Sequence, residues 1–499
     1  MRHLIVCCDG TWQNAARQSN VSRLHSAVVT PPGSPEPHYI MGVGISSNPV
    51  AMLRGGFTGA DLSAGIINGY RWLVETFQAG DRIAVFGFSR GAYTARSLAG
   101  MIGRVGLVDG TGLGAEEVVD AVDRAYKRYR AIRDDPHDVT WSTGLDFAYR
   151  AGEPDIPVEL VGVWDTVGSL GIPAYIGVPD VLNSRKRYEF LDVTLNRRIP
   201  HARHAISLDE MRGPFRPTLW RDVDPGQDVK QVWFPGNHMD VGGGNRDKRL
   251  SDGALEWMMT ETTAAVGIAF DRARIPGFNP DPTGFLHGPR EGPLGVALEV
   301  AFQPRPRATP RVDHMKPEPD VSATAYERQQ KVAGYRPTHT LALPGDTAQV
   351  VVPADQSWTA TGLYLEPGDY RFAASGEWSS AGSRSGPEGD TSKWHFSGNL
   401  FSRIIGAAEK GLRAVVNNPE AELLGTRREP DLPWMSLVGI VANEVTDREG
   451  NVLPDEKVAI GAGATATVRR PGYLHVFPND ALGFYGNNNG EVRLTVTRS

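Results

Sequence analysis

Ser89 lies between two glycines in the stretch Val85-Phe86-Gly87-Phe88-Ser89-Arg90-Gly91-Ala92. A G-x-S-x-G spacing suits a nucleophile: the serine can sit on a sharp, strained turn from strand to helix, and small neighbours leave that turn room. The same glycines also suit an ordinary tight turn, so the partners decide. A serine nucleophile needs a base, and the base needs an orienting carboxylate. Asp165 follows the apolar run Val158-Glu159-Leu160-Val161-Gly162-Val163-Trp164, and His238 follows Gln231-Val232-Trp233-Phe234-Pro235-Gly236-Asn237. Each stands at the carboxyl end of an expected strand, where catalytic groups gather in α/β sheets. Asp165 could instead cap a turn, and His238 could be a loop histidine. Asp240, two residues beyond His238, competes as the acid. Its other role would be to hold the loop Gly242-Gly243-Gly244 by accepting backbone N–H groups.

An acyl transfer also needs donors for the oxyanion. The loop after an early strand supplies one N–H, and the residue after the nucleophile supplies another. The opening His3-Leu4-Ile5-Val6-Cys7-Cys8-Asp9-Gly10-Thr11 reads as strand and polar turn. The backbone N–H of Gly10 or Thr11 and that of Arg90 are therefore the expected donors. Asp9 either organises the loop or is a turn residue. Its DGT triplet resembles an aspartyl-phosphatase motif, but Cys7 occupies the place of the nucleophilic aspartate.

These residues need a sheet to position them. Expected strands are His3–Cys8, Arg82–Phe88, Val158–Trp164 and Val229–Phe234; expected helices are Asp61–Gln78, Ala92–Ile102, Glu116–Ile132 and Asp252–Val266. Leu62, Ile66, Tyr70, Leu73, Val74 and Phe77 recur at helical spacing. The alternation predicts an α/β domain with a mostly parallel sheet over 1–303. A proline- and charge-rich stretch, 304–340, reads as a linker. Beyond it, over 341–499, short alternating runs read as an all-β sandwich. A helical insertion at about 396–430 interrupts it, with Leu400, Ile404, Ile405, Ala408, Leu412 and Val415 on one side.

At 499 residues with 40% hydrophobic composition, the chain can bury real cores. A net charge of −6 gives no electrostatic footprint for nucleic acid. The only cysteines, Cys7 and Cys8, are neighbours on a strand and point to opposite faces, so no disulfide framework is expected. That fits synthesis in a reducing, cytoplasmic compartment. No secretory signal and no membrane span is expected, so any export would use a signal-independent route.

The blocks CCDGTWQN, GFSRGAYTAR, GVWDTVGSLG, HARHAISLDEMR, VWFPGNHMDVGGG and LSDGALEWM, in that order, resemble the bacterial and fungal α/β-hydrolase family that includes the phospholipase effectors of type VI secretion. The resemblance runs to about residue 290. It implies an α/β-hydrolase fold and a Ser-Asp-His triad of Ser89, Asp165 and His238. It implies a structural network for His204, Asp209 and Arg212. His201 and His204 lack a third ligand for a metal.

Asp480-Ala481-Leu482-Gly483-Phe484-Tyr485-Gly486-Asn487-Asn488-Asn489-Gly490 is dense in oxygen ligands and glycine. Ca²⁺ takes six to eight oxygens from such groups, while an Asn/Gly-rich hairpin turn accounts for the same composition. PNDALGFYGNNNGEVRLTV, with ASGEW and GPEGD upstream, resembles the Ca²⁺-dependent galactose-binding lectin of bacterial β-sandwich type. That resemblance implies Ca²⁺ ligated by the side chains of Asp480, Asn487 and Asn488 and the carbonyls of Phe484 and Ala381, with Asp390 a nearby acid. The stretch Asp390-Thr391-Ser392-Lys393-Trp394 departs from the pattern in carrying no histidine for the sugar.

The expectation is a lipase- or phospholipase-like serine ester hydrolase, an exported effector acting on phospholipid or another acyl ester. Peripheral membrane contact and a glycan on the carboxyl-terminal domain are its expected partners. Two alternatives stay open: a carbohydrate esterase, and a glycan-binding protein with a degenerate hydrolase domain.

Overall fold

Leu4, Val6 and Cys8 bury on one side of the first strand, and Ile5 and Cys7 on the other. A strand covered on both faces belongs to a parallel sheet between helical layers. The computed structural model builds that arrangement. It describes residues 2–10, 18–42, 59–132, 140–167, 194–288, 304–390, 428–429, 431–446 and 452–499. Thr11, Thr391 to Trp394 and the apolar side of the expected insertion lie outside those residues.

The first unit comprises Met1–Glu210, Pro214–His287 and Ser322–Ala325. Its strands are β1 (His3–Cys8), β2 (His38–Ile40), β3 (Arg82–Phe88), β4 (Val158–Trp164), β5 (His201–Ser207) and β6 (Asp228–Phe234). They lie in the order β2-β1-β3-β4-β5-β6, and every pairing is parallel. The helices are α1 (Asn20–Ala27), α2 (Gly59–Thr76), α3 (Arg90–Val105), α4 (Ala115–Ala131), α5 (His238–Gly242) and α6 (Arg249–Val266). Side chains of α2, α3 and α4 pack with Leu4, Val6, Val85 and Val161. Side chains of α1 and α6 pack with Ile5, Cys7, Phe86 and Trp164 on the opposite face. The cysteines are free and buried, and burial raises both thiols far above their usual range.

The second unit comprises Met211–Gly213, Gly288–Val321 and Tyr326–Ser499. A four-stranded and a five-stranded sheet make a β-sandwich. Tyr370, Phe372, Val492 and Leu494 of one sheet meet Leu437, Val441, Leu474 and Val476 of the other in its core. The stretch 304–340 is folded rather than a free linker. Ala323–Lys331 is a helix, and Val312 is fully buried with its N–H donating to the Tyr473 hydroxyl. Proline hides the hydrophobic period there, while Arg305 pairs with Asp455 and Thr338 bonds to Tyr473.

Among the described residues, no helix is long and apolar enough to cross a membrane.

Candidate active site

Ser89 ends β3 and caps α3 with φ 58° and ψ −120°. A non-glycine residue held there costs about 1–3 kcal/mol, a strain typical of functional turns. The flanking glycines are required by contact. A Cβ on Gly91 would stand 2.1 Å from the Cys8 carbonyl oxygen, and one on Gly87 would stand 2.3 Å from the Gly91 oxygen. The elbow is therefore pressed against the end of β1. The Ser89 N–H donates to the Trp164 carbonyl at 3.1 Å, which ties the elbow to β4.

Asp165 follows β4 directly and also has positive φ, 34°. Its N–H donates to the Ala205 carbonyl at 2.7 Å, and its Oδ1 accepts from the Ser207 N–H at 3.0 Å. Both anchors come from β5. His204 on the same strand accepts the Thr166 N–H at Nε2, 3.1 Å away.

His238 opens α5, after β6. Its Nδ1 lies 2.6 Å from Asp165 Oδ2, and its Nε2 lies 2.9 Å from Ser89 Oγ. The carboxylate is wholly buried, and the imidazole is 5% exposed. An acceptor-only carboxylate at Nδ1 fixes the proton on that nitrogen and leaves Nε2 to accept from the serine. The rings of Phe88 and Phe215 stand 4.7 and 4.9 Å from the imidazole and shield it from water.

The turn that carries His238 is pinned on one side by β5 and its extension. Gly236 donates to Asp209 Oδ2 at 2.7 Å and accepts from the Ser207 hydroxyl at 2.7 Å, and the His238 N–H faces Glu210 Oε2 at 3.3 Å. Asp209 and Glu210 thus hold main chain. Arg212 lies in the second unit, in a bridge with Pro304. His201 pairs with Asp228 at 3.1 Å. Among the described residues, the hydrogen bonds of Asp240 reach neither His238 nor the N–H groups of Gly242 to Gly244. It accepts the Asn237 N–H at 3.1 Å, with Asn245 and His287 as its other partners. Burial raises its carboxyl group above the usual range, against those donors.

Asp9 is buried, and its carboxylate gathers the loop after β1. Oδ1 accepts the Gly10 N–H at 2.6 Å; Oδ2 accepts the hydroxyls of Ser19, at 2.6 Å, and Tyr39. Burial pushes the Asp9 carboxyl up, and these three donors oppose the shift. Gly10 is corrected as an oxyanion donor, because its N–H is turned to Asp9. A Cβ on Gly10 would still lie 3.4 Å from the Ser89 Cβ, so the loop stands over Ser89. Arg90 opens α3, at the positive end of the helix dipole.

In the second unit, Asn488 Nδ2 donates to Asp480 Oδ2 at 2.8 Å and to the Ala354 carbonyl at 3.1 Å. Asn488 Oδ1 is buried with no hydrogen-bond partner. Burial raises the Asp480 carboxyl above its usual range. Ser380 pairs with Asn488 across the strands, so Ala381, at φ 49°, lies beside that asparagine. Phe484 is half-buried and Asn487 exposed on the intervening turn, and Asp390 bridges to Trp434. A buried carboxylate beside an orphaned amide oxygen fits a cation, which would satisfy both.

A family model described as "T6SS, Phospholipase effector Tle1-like, catalytic domain" matches residues 2–261. The uncharacterized protein YEL023C of Saccharomyces cerevisiae is 30% identical over 234 residues, which are 43% of this chain and 32% of the yeast protein. The chain therefore spans about a third of that relative's length. The solved structure of the Tle1 effector bound to the VgrG spike from the Type 6 secretion system covers 97% of this chain and 70% of its own. Its identity is 14% and its TM-score 0.30. The EclA N-terminal domain, a PllA-like lectin, covers 30% of this chain and 95% of its own, at 22% identity and TM-score 0.19.

Proposed function

We propose, from the premise that the chain belongs to the family of Tle1-like phospholipase effectors of the type VI secretion system, that it is a serine ester hydrolase acting on phospholipid acyl esters. The observation that carries this reading is the His238 imidazole joined to Asp165 on one nitrogen and to Ser89 on the other. Ser89 Oγ attacks the ester carbonyl as His238 Nε2 takes its proton. Asp165 holds the imidazole and stabilises the imidazolium that forms. The N–H of Arg90, at the start of its helix, would meet the tetrahedral oxyanion, and Thr11 remains the expected second donor. His238 then gives its proton to the leaving alcohol. Water, activated by the same imidazole, releases the acid and restores Ser89. The strain at Ser89 and the shielding of His238 by Phe88 and Phe215 support the reading, since both prepare the site before substrate arrives.

A panel of esters of rising chain length, with and without phospholipid vesicles, tests it. Wild type should prefer vesicle-borne phospholipid, and Ser89→Ala should be silent throughout. A preference for short acyl groups on sugars would instead favour the carbohydrate esterase.

The second unit is proposed to hold Ca²⁺ through Asp480 and Asn488, with Asn487, Phe484 and Ala381 completing the shell, and to engage a glycan beside the ion. The orphaned Asn488 oxygen supports this reading. The ion would anchor the loop and ligate sugar hydroxyls, with no part in the ester chemistry. The chain's proposed partners are thus a lipid surface and a glycan.

A further inference from the structure

Asp240 and His287 form a second buried acid–imidazole pair on the turn that carries His238. Asp240 is wholly buried, and His287 Nδ1 lies 2.6 Å from its Oδ1, with the ring about three-quarters covered. The His287 N–H also donates to Asp240 Oδ2 at 3.2 Å, and the His287 carbonyl accepts from Asn237 Nδ2 at 2.9 Å. One residue thus grips the turn at both ends, through its ring, its N–H and its carbonyl.

That grip fixes every group between. Asn237 Oδ1 accepts the N–H groups of Met239 and Asp240, at 2.9 and 3.0 Å. Its amide is committed: oxygen to the helix, nitrogen to His287. Asp240 in turn packs so close to Gly236 that a Cβ there would lie 2.3 Å from the Asp240 Cβ. The stretch Gly236 to Asp240 therefore has two walls. Asp209, Ser207 and Glu210 form one; His287 is the other.

His287 itself is held by a strap that is well fastened. Asp281 Oδ1 accepts from the Thr283 N–H and hydroxyl, at 2.8 and 2.7 Å. Arg249 reaches Asp281, and Asp247 accepts the Phe285 N–H at 3.1 Å. The Phe285 ring stands edge-on to His287, 4.9 Å away. A rigid strap gives the histidine leverage over the catalytic turn.

We infer that His287 is a positioning residue: through Asp240 and Asn237 it sets the distance from His238 Nε2 to Ser89 Oγ. The inference rests on the triad reading above. Truncating the His287 side chain removes one of the four donors to the buried Asp240, the ring Nδ1–H, and leaves the backbone N–H and carbonyl of residue 287 without the ring that seats them. The turn then relaxes toward other partners. A displacement of about 1 Å at a reacting group costs on the order of 100-fold in rate.

The test is a comparison of wild type, His287→Ala and His287→Asn on a soluble short-chain ester, with a spectroscopic readout beside it. The asparagine amide can donate from near the place of Nδ1. His287→Ala should lower kcat about 10- to 100-fold with KM within about twofold; His287→Asn should recover most of that loss. Proton NMR of the full chain reads the geometry without turnover. The deshielded Nδ1–H of His238, identified by its loss in Asp165→Asn, should persist in His287→Asn and move or broaden in His287→Ala. If His287→Ala does not fold, His287→Asn decides alone: near-wild-type kcat and an unmoved proton support the role, and a large loss overturns it. Equal impairment of the two variants, or an unmoved proton with full kcat in His287→Ala, also overturns it. A wild type inactive on all esters overturns the hydrolase reading instead, and the proton comparison still decides whether His287 positions His238.

Discussion

At the residue scale, the two candidate acids differ in what they touch. Asp165 faces the His238 imidazole; Asp240 serves backbone, Asn245 and His287. Asp165→Asn should lower kcat by about 10⁴-fold, because an amide favours the wrong imidazole tautomer. Asp240→Asn, measured on folded protein, should cost about 100-fold at most, as loss of positioning. Steady-state kinetics of the two variants checks the ranking, and the reverse order would move the orienting role to Asp240. The meeting of Ser89, Asp165 and His238 was legible in the sequence because each stands at or just beyond the carboxyl end of a strand, and that placement survives without knowing the packing. His287 was not legible. It is a lone histidine 47 residues from Asp240, with no motif around it. Gly10 was misread for a different reason: sequence shows which N–H groups a loop contains, but not that Asp9 would claim one of them.

At the element scale, three strands built on apolar runs emerge with the expected limits: His3–Cys8, Arg82–Phe88 and Val158–Trp164. His201–Ser207 was hidden, because two histidines and an arginine break its apolar run. Its burial is nevertheless physical. Arg203, 1% exposed, finds Asp228 at 2.5 Å and Glu261 at 2.8 Å, so its charge is paired. The helix α3 begins two residues earlier than Ala92, since the elbow leads into it without a spacer. Contact between elbow and β1 gives a prediction of its own. Gly91→Ala drives a Cβ into the Cys8 carbonyl, and backbone cannot move aside as a side chain can. The first unit should lose about 2 kcal/mol or more, seen as an earlier thermal transition together with lost activity. A variant with wild-type melting and turnover would show that the elbow is looser than its geometry.

At the scale of the whole molecule, an α/β unit and a β-sandwich unit each bury a core of their own. The sandwich was legible from its alternating runs, but the folded state of 304–340 was not, because side-chain bonds from Arg305 and Thr338 leave no periodic trace. If Asp480 and Asn488 hold Ca²⁺, added Ca²⁺ should raise the thermal transition of the second unit in proportion to the logarithm of ion concentration over Kd. Asp480→Ala should cancel the rise, and Mg²⁺ should do little, because it demands a smaller octahedron. The pH dependence follows from the raised Asp480 carboxyl. Without the ion, the unfolded chain releases this proton at the ordinary carboxylate pH while the folded chain retains it. Its contribution to stability is therefore present in acid and is lost as pH rises through the raised folded value. Saturating Ca²⁺ should remove that loss, because the ion favours the carboxylate. Calorimetry of the full chain against pH, with and without Ca²⁺, reads both effects. Unchanged profiles on adding millimolar ion would leave the Asn-rich turn as a turn.

The central claim is that the strained Ser89, with its proton bound for His238, attacks an acyl ester. It is tested most directly by the hydrolysis rate of a phospholipid in vesicles by Ser89→Ala beside wild type, after both are shown to melt alike. Loss of the nucleophile from a working triad typically costs on the order of 10⁶-fold in kcat. The account predicts a signal indistinguishable from the uncatalysed background for Ser89→Ala and ready hydrolysis by wild type. Hydrolysis by Ser89→Ala at the wild-type rate would contradict it.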